Sequence, residues 1–357
     1  MPRPSKYESH SNIHMTPTPV NLTNWCHGLP KVELHLHLEG AIPIPALWEL
    51  VQKYGGDPRV PDEAALQQYF TFRDFPHFLE LWVWKNSFIR EYEDFTFLSA
   101  AVATQLKEDN IRYVEAFFAP VRFKQEGLET GRLLESVRAG LDSVKGIEVA
   151  LIPDLVRDFG PVTALEVLDE VSELRSLGVI GIGIGGAEHN HPPELFTEVY
   201  QTARERGLHT TIHAGEAAGA DSVWAAINSL EVDRIGHGTR SIEDGKLMKH
   251  LADTQLPIEM CPLSNIATGV VDSIADHPIR QFVDQGVLVT VNSDDPAMFG
   301  NSLTGDYTAL MTDLAFTPDE IRKLILNGIE SSWLDSERKS SLRTEFTATE
   351  EWSRNPS

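Results

Sequence analysis

The sequence contains few cysteines, and their positions argue against both a disulfide framework and a thiolate metal site. Its 357 residues include two cysteines, Cys26 and Cys261, which are far apart and form no C-x-x-C pattern. Secreted disulfide scaffolds and thiolate zinc sites need more cysteines at closer spacing. We therefore expect a protein of a reducing compartment, the cytoplasm.

Long apolar runs and an excess of basic residues are also missing. No apolar stretch approaches the ~20 residues that a membrane-spanning helix needs, and the first residues lack the apolar core of a secretory signal. The formal net charge is −23, whereas nucleic acids and anionic membranes attract basic surfaces. We therefore expect neither a nucleic acid nor a membrane as a partner. The sequence leaves the oligomeric state open.

Phosphate-binding glycine loops are absent as well. No G-x-G-x-x-G follows the first strand-like segment, and no Walker-type loop occurs. The nucleotide-binding versions of an open α/β sheet are therefore disfavoured. The spacing of Gly183, Gly185 and Gly186 is wrong for a dinucleotide fingerprint and indicates a close approach between backbone and ligand.

The chain does contain a regular alternation of strand-like and helix-like segments. Such alternation predicts a parallel sheet that helices cover on both faces. Eight strand candidates favour an α/β fold of the closed (β/α)8 TIM-barrel type over an open doubly wound sheet. The candidates are residues 31–39, 111–118, 148–154, 179–184, 209–214, 234–237, 257–260 and 287–292.

We expect extra segments around this barrel. Residues 1–29 are predicted to be an N-terminal tail, residues 30–340 the barrel, and residues 341–357 a C-terminal tail. Residues 57–100, which follow the first strand, are rich in aromatic side chains. These aromatics suit a helix core, but they also suit a helical, lid-like insertion over a flat apolar ligand.

The first strand candidate carries two histidines on one face. Alternate side chains of a strand point the same way, so His35 and His37 lie side by side, with Glu39 just beyond them. A polar strand face with two solvated histidines explains this stretch equally well when it is taken alone. Ligand-type residues at other strand ends would favour a metal site.

Such residues do follow other strand candidates. Active sites of parallel barrels lie at the C-terminal ends of the strands. Polar groups occur there in four more motifs: His213-Ala-Gly-Glu216, His237-Gly238, Cys261-Pro-Leu-Ser-Asn265 and Asn292-Ser-Asp-Asp-Pro296. The strand bodies between them are mainly apolar. This joint pattern, rather than any single residue, predicts an active site.

The residue types predict a catalytic metal centre. Three imidazoles and one carboxylate, with room for a water, suit a single zinc ion or a similar metal. The candidate ligands are His35, His37, His213 and Asp294. Zinc lowers the pKa of a bound water to about 7, which supplies hydroxide at neutral pH.

Four further residues are candidates around this centre. His237 is a candidate to hold or deprotonate the water, and Asp295 to orient it. Glu216 is a candidate acid that protonates a leaving or ring nitrogen. Gly186 offers an unobstructed backbone N–H.

Each candidate also has a simpler explanation. The pair Asp294-Asp295 before a proline is most often a turn or a helix N-cap. His237 alone is more often a loop histidine with hydrogen-bond partners, and Glu216 alone a surface acid. We interpret Cys261 as buried packing and Ser264-Asn265 as hydrogen-bonding residues that brace the site.

Five ordered motifs resemble the adenosine deaminase family of the metal-dependent amidohydrolases. They are His-Leu-His-Leu-Glu-Gly, His-Ala-Gly-Glu, Arg-Ile-Gly-His-Gly, Cys-Pro-Leu-Ser-Asn and Asn-Ser-Asp-Asp-Pro, and the resemblance spans about residues 30–335. It implies a (β/α)8 barrel with one zinc ion that removes the 6-amino group of an adenine-type ring by hydrolysis. The implied partner is a small-molecule purine.

The resemblance also implies a role for each candidate residue. The metal ligands of the family match His35, His37, His213 and Asp294. The acid that protonates ring N1 matches Glu216, and the residue that positions the attacking water matches His237. Asp295 matches the carboxylate that contacts the water or amino group. Gly186 matches the glycine whose N–H meets ring N3.

The resemblance leaves the substrate open. Adenosine-specific members carry an aspartate that contacts the ribose 5′-hydroxyl, whereas this chain has Glu39, as in adenine and 6-aminodeoxyfutalosine deaminases. Adenosine or a 5′-modified adenosine is one expectation, and free adenine is the alternative. Arg157 is a candidate contact for an anionic or hydroxylated tail, or else it forms a structural ion pair with Asp154 or Asp158.

Two other classes of function are less well supported. A non-catalytic purine-binding barrel would be expected to lack a key residue, but every ligand and acid is present. A two-metal amidohydrolase usually needs a carboxylated lysine near strand four, and no lysine occurs between Lys145 and Lys246. The single-metal deaminase therefore remains the leading interpretation.

Overall fold

The chain has a mixed α/β fold built around parallel strands. The structure is a computed structural model that describes residues 19–73 and 75–356. Within those residues, eight strands form two sheets, with the orders β1-β2-β3 and β4-β5-β6-β7-β8. The strands are β1 Lys31–His37, β2 Ile111–Phe118, β3 Glu148–Pro153, β4 Gly181–Ile182, β5 His209–Ala214, β6 Arg234–His237, β7 Ile258–Met260 and β8 Val289–Val291. Each predicted strand segment contains one of these strands.

Isolated parallel bridges connect the two sheets at both edges. At one edge, β3 is bridged to the residues on either side of β4. At the other edge, β1 is bridged to Asp294, three residues after β8. At the second edge, the N–H of His37 donates to the carbonyl of Asp294 at 2.9 Å. Each strand therefore lies beside its neighbours in sequence, and the first lies beside the last. The bridged pairs are Leu151 with Val179, Asp154 with Gly183, and Leu36 with Asp294.

Helices occupy the intervals between the strands. The part of the chain before strand β5 contains α1 Pro19–Gly28, α2 Ile44–Lys53, α3 Glu63–Tyr69, α4 Phe75–Asn86, α5 Tyr92–Glu108, α6 Pro120–Lys124, α7 Thr130–Ser143, α8 Gly160–Val171 and α9 Thr197–Glu205. The part after β5 contains α10 Ala220–Ala225, α11 Gly245–Thr254, α12 Pro262–Ala267, α13 Ile279–Asp284, α14 Pro296–Phe299, α15 Leu303–Asp313, α16 Pro318–Ser331, α17 Ser336–Thr347 and α18 Glu350–Ser353. None of the described helices is both long and apolar enough to cross a membrane.

Local sequence patterns explain the helices. In α7, Leu133, Val137 and Leu141 are buried, and their four-residue spacing places them on one helix face. Helix α16 begins with a capping box, in which Thr317 and Glu320 satisfy each other's backbone N–H groups. Apolar periodicity thus selects the buried face, and capping sets where the helix starts.

Both faces of strand β1 are buried. Val32, Leu34 and Leu36 belong to the hydrophobic core, and His35 and His37 have exposed fractions of 0% and 9%. A solvated polar strand face is therefore the wrong explanation of the His-x-His stretch. Buried polar groups need partners, and these two histidines find theirs among the other strand ends.

Helices also occur in the two segments predicted to be tails. Residues 1–18 lie outside the described residues, but α1 falls within the predicted N-terminal segment. The Trp25 indole N–H of α1 donates to the carbonyl of Arg354 at 2.9 Å. Near the other end, Leu342 and Phe346 of α17 are fully buried. The two ends of the described chain therefore contact each other.

Candidate active site

Three histidines and one aspartate converge at the C-terminal ends of β1, β5 and β8. The Nε2 atom of His213 lies 3.1 Å from Nε2 of His35 and 3.1 Å from Nε2 of His37. Oδ1 of Asp294 lies 3.6 Å and 3.5 Å from the same atoms of His35 and His37. The four ligand atoms all lie within 4.8 Å of one another. The structure therefore brings the four sequence-predicted metal ligands together.

The donor set fits a metal ion. Burial lowers the pKa of His35 to about 3 and holds the pKa values of His37 and His213 well below the usual range, so the imidazoles are neutral. Ligands about 2.0–2.1 Å from a tetrahedral zinc lie roughly 3.3 Å apart, close to the separations seen here. No choice of histidine tautomers gives all three converging nitrogens a hydrogen-bond partner. One shared cation can bind the lone pairs of all three.

A buried carboxylate orients His35. Nδ1 of His35 donates to Oε2 of Glu259 at 2.8 Å, so its Nε2 lone pair points at the other ligands. Arg234 donates to Glu259 and to Glu115, each at 2.5 Å, and all three charged side chains are at most 1% exposed. Our sequence reasoning missed this network. The available signal was a single acid inside an otherwise apolar strand, as at Glu115 and Glu259.

Ser264 and Asn265 brace the site, as predicted. Ser264 Oγ donates to Oδ2 of Asp294 at 2.6 Å. Asp294 has a positive φ of 69°, which is a strained conformation for a residue with a side chain. The hydrogen bond therefore fixes the direction of a candidate ligand that leaves the strand at an unusual angle.

The hydrogen bonds of Asn265 set the tautomer of His237. Oδ1 of Asn265 accepts from Thr239 Oγ1 at 2.9 Å and faces His277 Nε2 at 3.1 Å. Its Nδ2 is then left to donate to Nδ1 of His237, at 3.2 Å. His237 therefore carries its proton on Nε2, which has no hydrogen-bond partner within the described residues. That N–H is available to a ligand in the cavity.

Glu216 is a buried acid beside this histidine. Its Oε2 lies 3.7 Å from Nε2 of His237. Burial, together with the nearby Asp294 and Glu188 carboxylates, raises the pKa of Glu216 well above its usual range. A carboxyl of this kind keeps its proton near neutral pH and can act as an acid.

Glu188 builds the turn that carries Glu216. Its carboxylate accepts four successive backbone N–H groups, at distances of 2.6–3.2 Å, from Gly215, Glu216, Ala217 and Ala218. Charged hydrogen bonds of this kind are strong. The sequence shows that residue 188 is an acid. Its structural role depends on the folded chain, which brings residue 188 close to residues 215–218.

Gly186 presents a free N–H to the cavity. Its φ is +100°, and an added Cβ would overlap Oδ2 of Asp158. No described residue accepts a hydrogen bond from its N–H, and the residue lines the cavity. Glycine is therefore required here by both conformation and space.

Asp295 lies against the bare backbone of Gly40. A Cβ at Gly40 would overlap the Asp295 carboxylate, so the glycine in the His-Leu-His-Leu-Glu-Gly motif makes room for this acid. Asp295 is 3% exposed, and its Oδ1 has no hydrogen-bond partner among the described residues. Burial and Asp294 raise the pKa of Asp295 well above its usual range.

Comparison with known proteins identifies the family. A model of the adenosine deaminase family matches residues 30–349. The chain belongs to this family. It is 36% identical over 341 residues to the aminodeoxyfutalosine deaminase of Streptomyces coelicolor, covering 94% of this chain and 88% of the relative.

Solved structures of related proteins share the fold. The adenine deaminase of Arthrobacter aurescens superposes with a TM-score of 0.85 at 33% identity, covering 89% of this chain and 98% of that one. An amidohydrolase of Burkholderia ambifaria with bound Zn gives a TM-score of 0.84 at 27% identity, covering 95% and 94%. The family fold therefore extends over nearly the whole described chain.

Position 39 is where we expect the chain to differ from the adenosine-specific members of the family. Glu39 is not among the described residues that line the cavity, and its Oε1 accepts the N–H of Ala119 at 2.9 Å. Its Oε2 has no described hydrogen-bond partner, and Lys85 donates to its backbone carbonyl. Burial raises the pKa of Glu39 to about 7. Direct substrate contact by Glu39 stays a prediction.

Helix α4 forms one wall of the cavity above these residues. Four of its side chains line the cavity, which also holds Arg122 and has a volume of about 240 Å³. Other aromatics of the 57–100 segment pack among themselves, such as Trp84 against Phe88 at 5.3 Å between ring centroids. The packing explanation thus holds for Trp84 and Phe88, whereas the lid-like insertion stays a prediction. The four α4 residues are Phe78, Leu79, Trp82 and Val83.

Both expectations for Arg157 were wrong. Its side chain is fully buried and donates to backbone carbonyls rather than to Asp154 or Asp158. The shortest of these bonds, at 2.5 Å, reaches the carbonyl of His213. Arg157 therefore ties together the turns after β3, β4 and β5. The carbonyls belong to Ile184, Gly185, His191 and His213.

Proposed function

We propose that this protein is a metal-dependent aminohydrolase that removes the 6-amino group of an adenine-type purine and releases ammonia. The observation that carries the proposal is the convergence of four metal-ligand atoms beside a buried acid, Glu216, and an N–H donor, His237, at one cavity. The deaminase names of the relatives support the same reaction. A non-catalytic purine-binding barrel would bind an adenine-type purine without deaminating it. That result would contradict the proposed reaction.

The metal that we propose is one zinc ion per chain, held by the four converging side chains. Three imidazoles and a carboxylate form a donor set that zinc prefers, and the related amidohydrolase with bound Zn supports this choice. When bound, such an ion lowers the pKa of a coordinated water to about 7. The proposed ligands are His35, His37, His213 and Asp294.

In the proposed reaction, Glu216 and Gly186 hold the purine ring. The Gly186 N–H donates to ring N3, and the protonated Glu216 carboxyl gives its proton to N1. Protonation of N1 makes C6 more electrophilic, so the C–O bond to the incoming oxygen can form there. The raised pKa of Glu216 supports this assignment because an ionised carboxylate has no proton to give.

His237 and Asp295 act on the incoming oxygen. The Nε2–H of His237 donates to it and stabilises its negative charge, as its tautomer requires. The charge of a cation bound beside Asp295 would favour its ionised form despite its burial, and the ionised carboxylate would then accept the proton of the incoming water and pass it to the amino group. The C6–N6 bond then breaks, and the nitrogen leaves as ammonia. The remaining proton of the new C6 hydroxyl group returns through solvent to Glu216 as the C6 carbonyl forms.

We propose a 5′-modified or plain adenine nucleoside as substrate, with free adenine as the alternative. The apolar wall from helix α4 and the aminodeoxyfutalosine deaminase relative support an extended substrate. The related adenine deaminase structure supports the free base. An assay that follows loss of adenine absorbance should compare adenine, adenosine, 5′-methylthioadenosine, S-adenosylhomocysteine and 6-aminodeoxyfutalosine. If none of these compounds reacts, the purine proposal fails.

We further propose that the two sheets form one closed (β/α)8 barrel over about residues 30–340. Residues 57–100 are then a lid-like helical insertion after the first strand. The bridge between Leu36 and Asp294 supports closure, because an open sheet would leave β1 and β8 at opposite edges. Hydrogen exchange tests this: the His37 amide should be as protected as those of β2, and rapid exchange would contradict closure.

A further inference from the structure

Arg122 is a cation that lines the cavity without a polar partner. It lies in α6 and is the one arginine or lysine among the described residues of the cavity lining. Its guanidinium group forms no hydrogen bond or ion pair with any described residue, although its backbone N–H donates to the carbonyl of Ala119. Its guanidinium group lies 5.4 Å from the ring centroid of Trp82, so its described partner in the cavity is an aromatic face.

This lack of partners is unlike the other buried arginines of the site. Arg157 donates to backbone carbonyls, and Arg234 bridges two carboxylates. Arg122 is half-buried, and burial lowers its pKa, while the charges of Glu126, Glu39 and Asp158, none of which forms an ion pair with it, act in the opposite direction. A partly desolvated charge without hydrogen bonds is unfavourable, and an anion brought by a ligand would satisfy it.

The position of Arg122 relative to the reacting groups defines which part of a ligand it meets. Ring N1 and C6 face Glu216 and the candidate metal ligands, so the N9 side of the purine points away from them. The α4 side chains and Phe159 line the same cavity. A substituent on N9 therefore crosses apolar surface before it reaches the guanidinium group.

We propose that Arg122 binds an anionic group, a carboxylate or a phosphate, on the N9 substituent of the substrate. This inference rests on the proposed function, since the purine must be held by Glu216 and Gly186. Guanidinium groups bind both anions through paired hydrogen bonds. Apart from Arg122 and the histidines, the ionisable residues that line the cavity are acidic, so specificity for an anion depends on this one residue.

Two matched substrate pairs test the proposal. The carboxylate pair is 6-aminodeoxyfutalosine and its methyl ester, and the phosphate pair is adenosine 5′-monophosphate and adenosine. We expect the wild-type enzyme to prefer the anionic member of one pair in kcat/KM by at least about tenfold. The pair that shows the preference identifies the anion.

Substitution of Arg122 should remove that preference. In Arg122→Ala the ratio of kcat/KM between the anionic and neutral members falls at least about tenfold, mainly through KM. Arg122→Lys retains part of the ratio because the positive charge stays. Arg132→Ala is the matched control, since Arg132 stacks on Tyr92 at 4.0 Å outside the cavity. The Arg132→Ala substitution removes the same single positive charge as Arg122→Ala. It should leave the ratio of kcat/KM between anionic and neutral substrates unchanged.

Two outcomes overturn the inference alone. One is a wild-type enzyme that deaminates both members of each pair equally well. The other is an equal loss of kcat/KM on anionic and neutral substrates in Arg122→Ala, which would mean that Arg122 only supports Trp82. Failure to deaminate any of the four compounds or adenine would instead overturn the proposed function, and this inference with it.

Discussion

At the scale of single residues, protonation states carry most of the proposed chemistry. Glu216 is an acid because of its surroundings, since burial and two nearby carboxylates disfavour its ionised form. His237 is a donor because Asn265 occupies its other nitrogen. Neither state is visible in the sequence, where both residues are ordinary polar side chains in loops.

We predict that Glu216→Gln lowers kcat by at least about a hundredfold, the usual cost of losing a general acid. Glutamine keeps the shape of the side chain but has no carboxyl proton to give. Metal content should be unchanged, because Glu216 is not among the four converging ligands. Steady-state kinetics and elemental analysis check both parts, and near-normal turnover would remove Glu216 from the mechanism.

Asn265→Asp tests the assigned tautomer of His237. One aspartate oxygen still accepts hydrogen bonds from Thr239 and His277, while the other accepts a hydrogen bond that Nδ1–H of His237 donates. The histidine then loses its neutral Nε2–H form, and we expect kcat to fall about tenfold to a hundredfold with metal content unchanged. Ring-nitrogen chemical shifts report the tautomer directly. Unchanged shifts together with unchanged kcat would contradict the assignment.

At the scale of elements, close approaches of the backbone limit how well the sequence predicts the bounds of a strand. The bounds of β2, β5 and β6 match the predicted segments, because a glycine or proline follows each strand closely: Pro120, Gly215 and Gly238. Strand β4 is shorter than predicted: residues 179–184 reduce to Gly181–Ile182. Of the glycines that follow, Gly183 forms only an isolated bridge with Asp154, and Gly183 and Gly185 closely approach the side chains of Phe117 and Asp154. Sequence patterns show that such glycines exist, but not which side chain they meet.

The turn after β1 provides an element-scale prediction. A methyl group at position 40 overlaps the Asp295 carboxylate, so Gly40→Ala should displace Asp295 and lower kcat at least about tenfold, since a shift near 1 Å is costly in catalysis. Gly131→Ala is the matched control, because an added Cβ there meets nothing within 4 Å. Equal activity of the two variants would show that Asp295 tolerates displacement.

At the scale of the whole molecule, the site is assembled from distant parts of the chain. The His-x-His motif and the strand-end residues identified the ligands, because their spacing on strands is local information. The network of Arg234, Glu115 and Glu259 was not predictable, since its members lie on three different strands. The contribution of Arg122 also depends on packing, because only the fold shows that it enters the cavity.

Removal of the metal should destabilise the whole fold. An ion held by β1, β5 and the segment after β8 binds the folded state alone, so it stabilises by mass action, about 2.7 kcal/mol at a hundredfold excess over Kd. We expect a chelator to lower Tm and zinc to restore it. His213→Ala should abolish both the zinc content and this shift, whereas His27→Ala, at an exposed site, should retain them. Stoichiometric zinc in His213→Ala would contradict the ligand set.

The contact between the first and last strands also sets an order of events in the life of the chain. His35 and His37 leave the ribosome more than 250 residues before Asp294, because synthesis proceeds from the N-terminus. A nascent chain therefore exposes only part of the donor set. Full metal capture has to await the end of synthesis and the slow formation of long-range pairing. The amount of bound metal therefore indicates how much of the protein has completed folding.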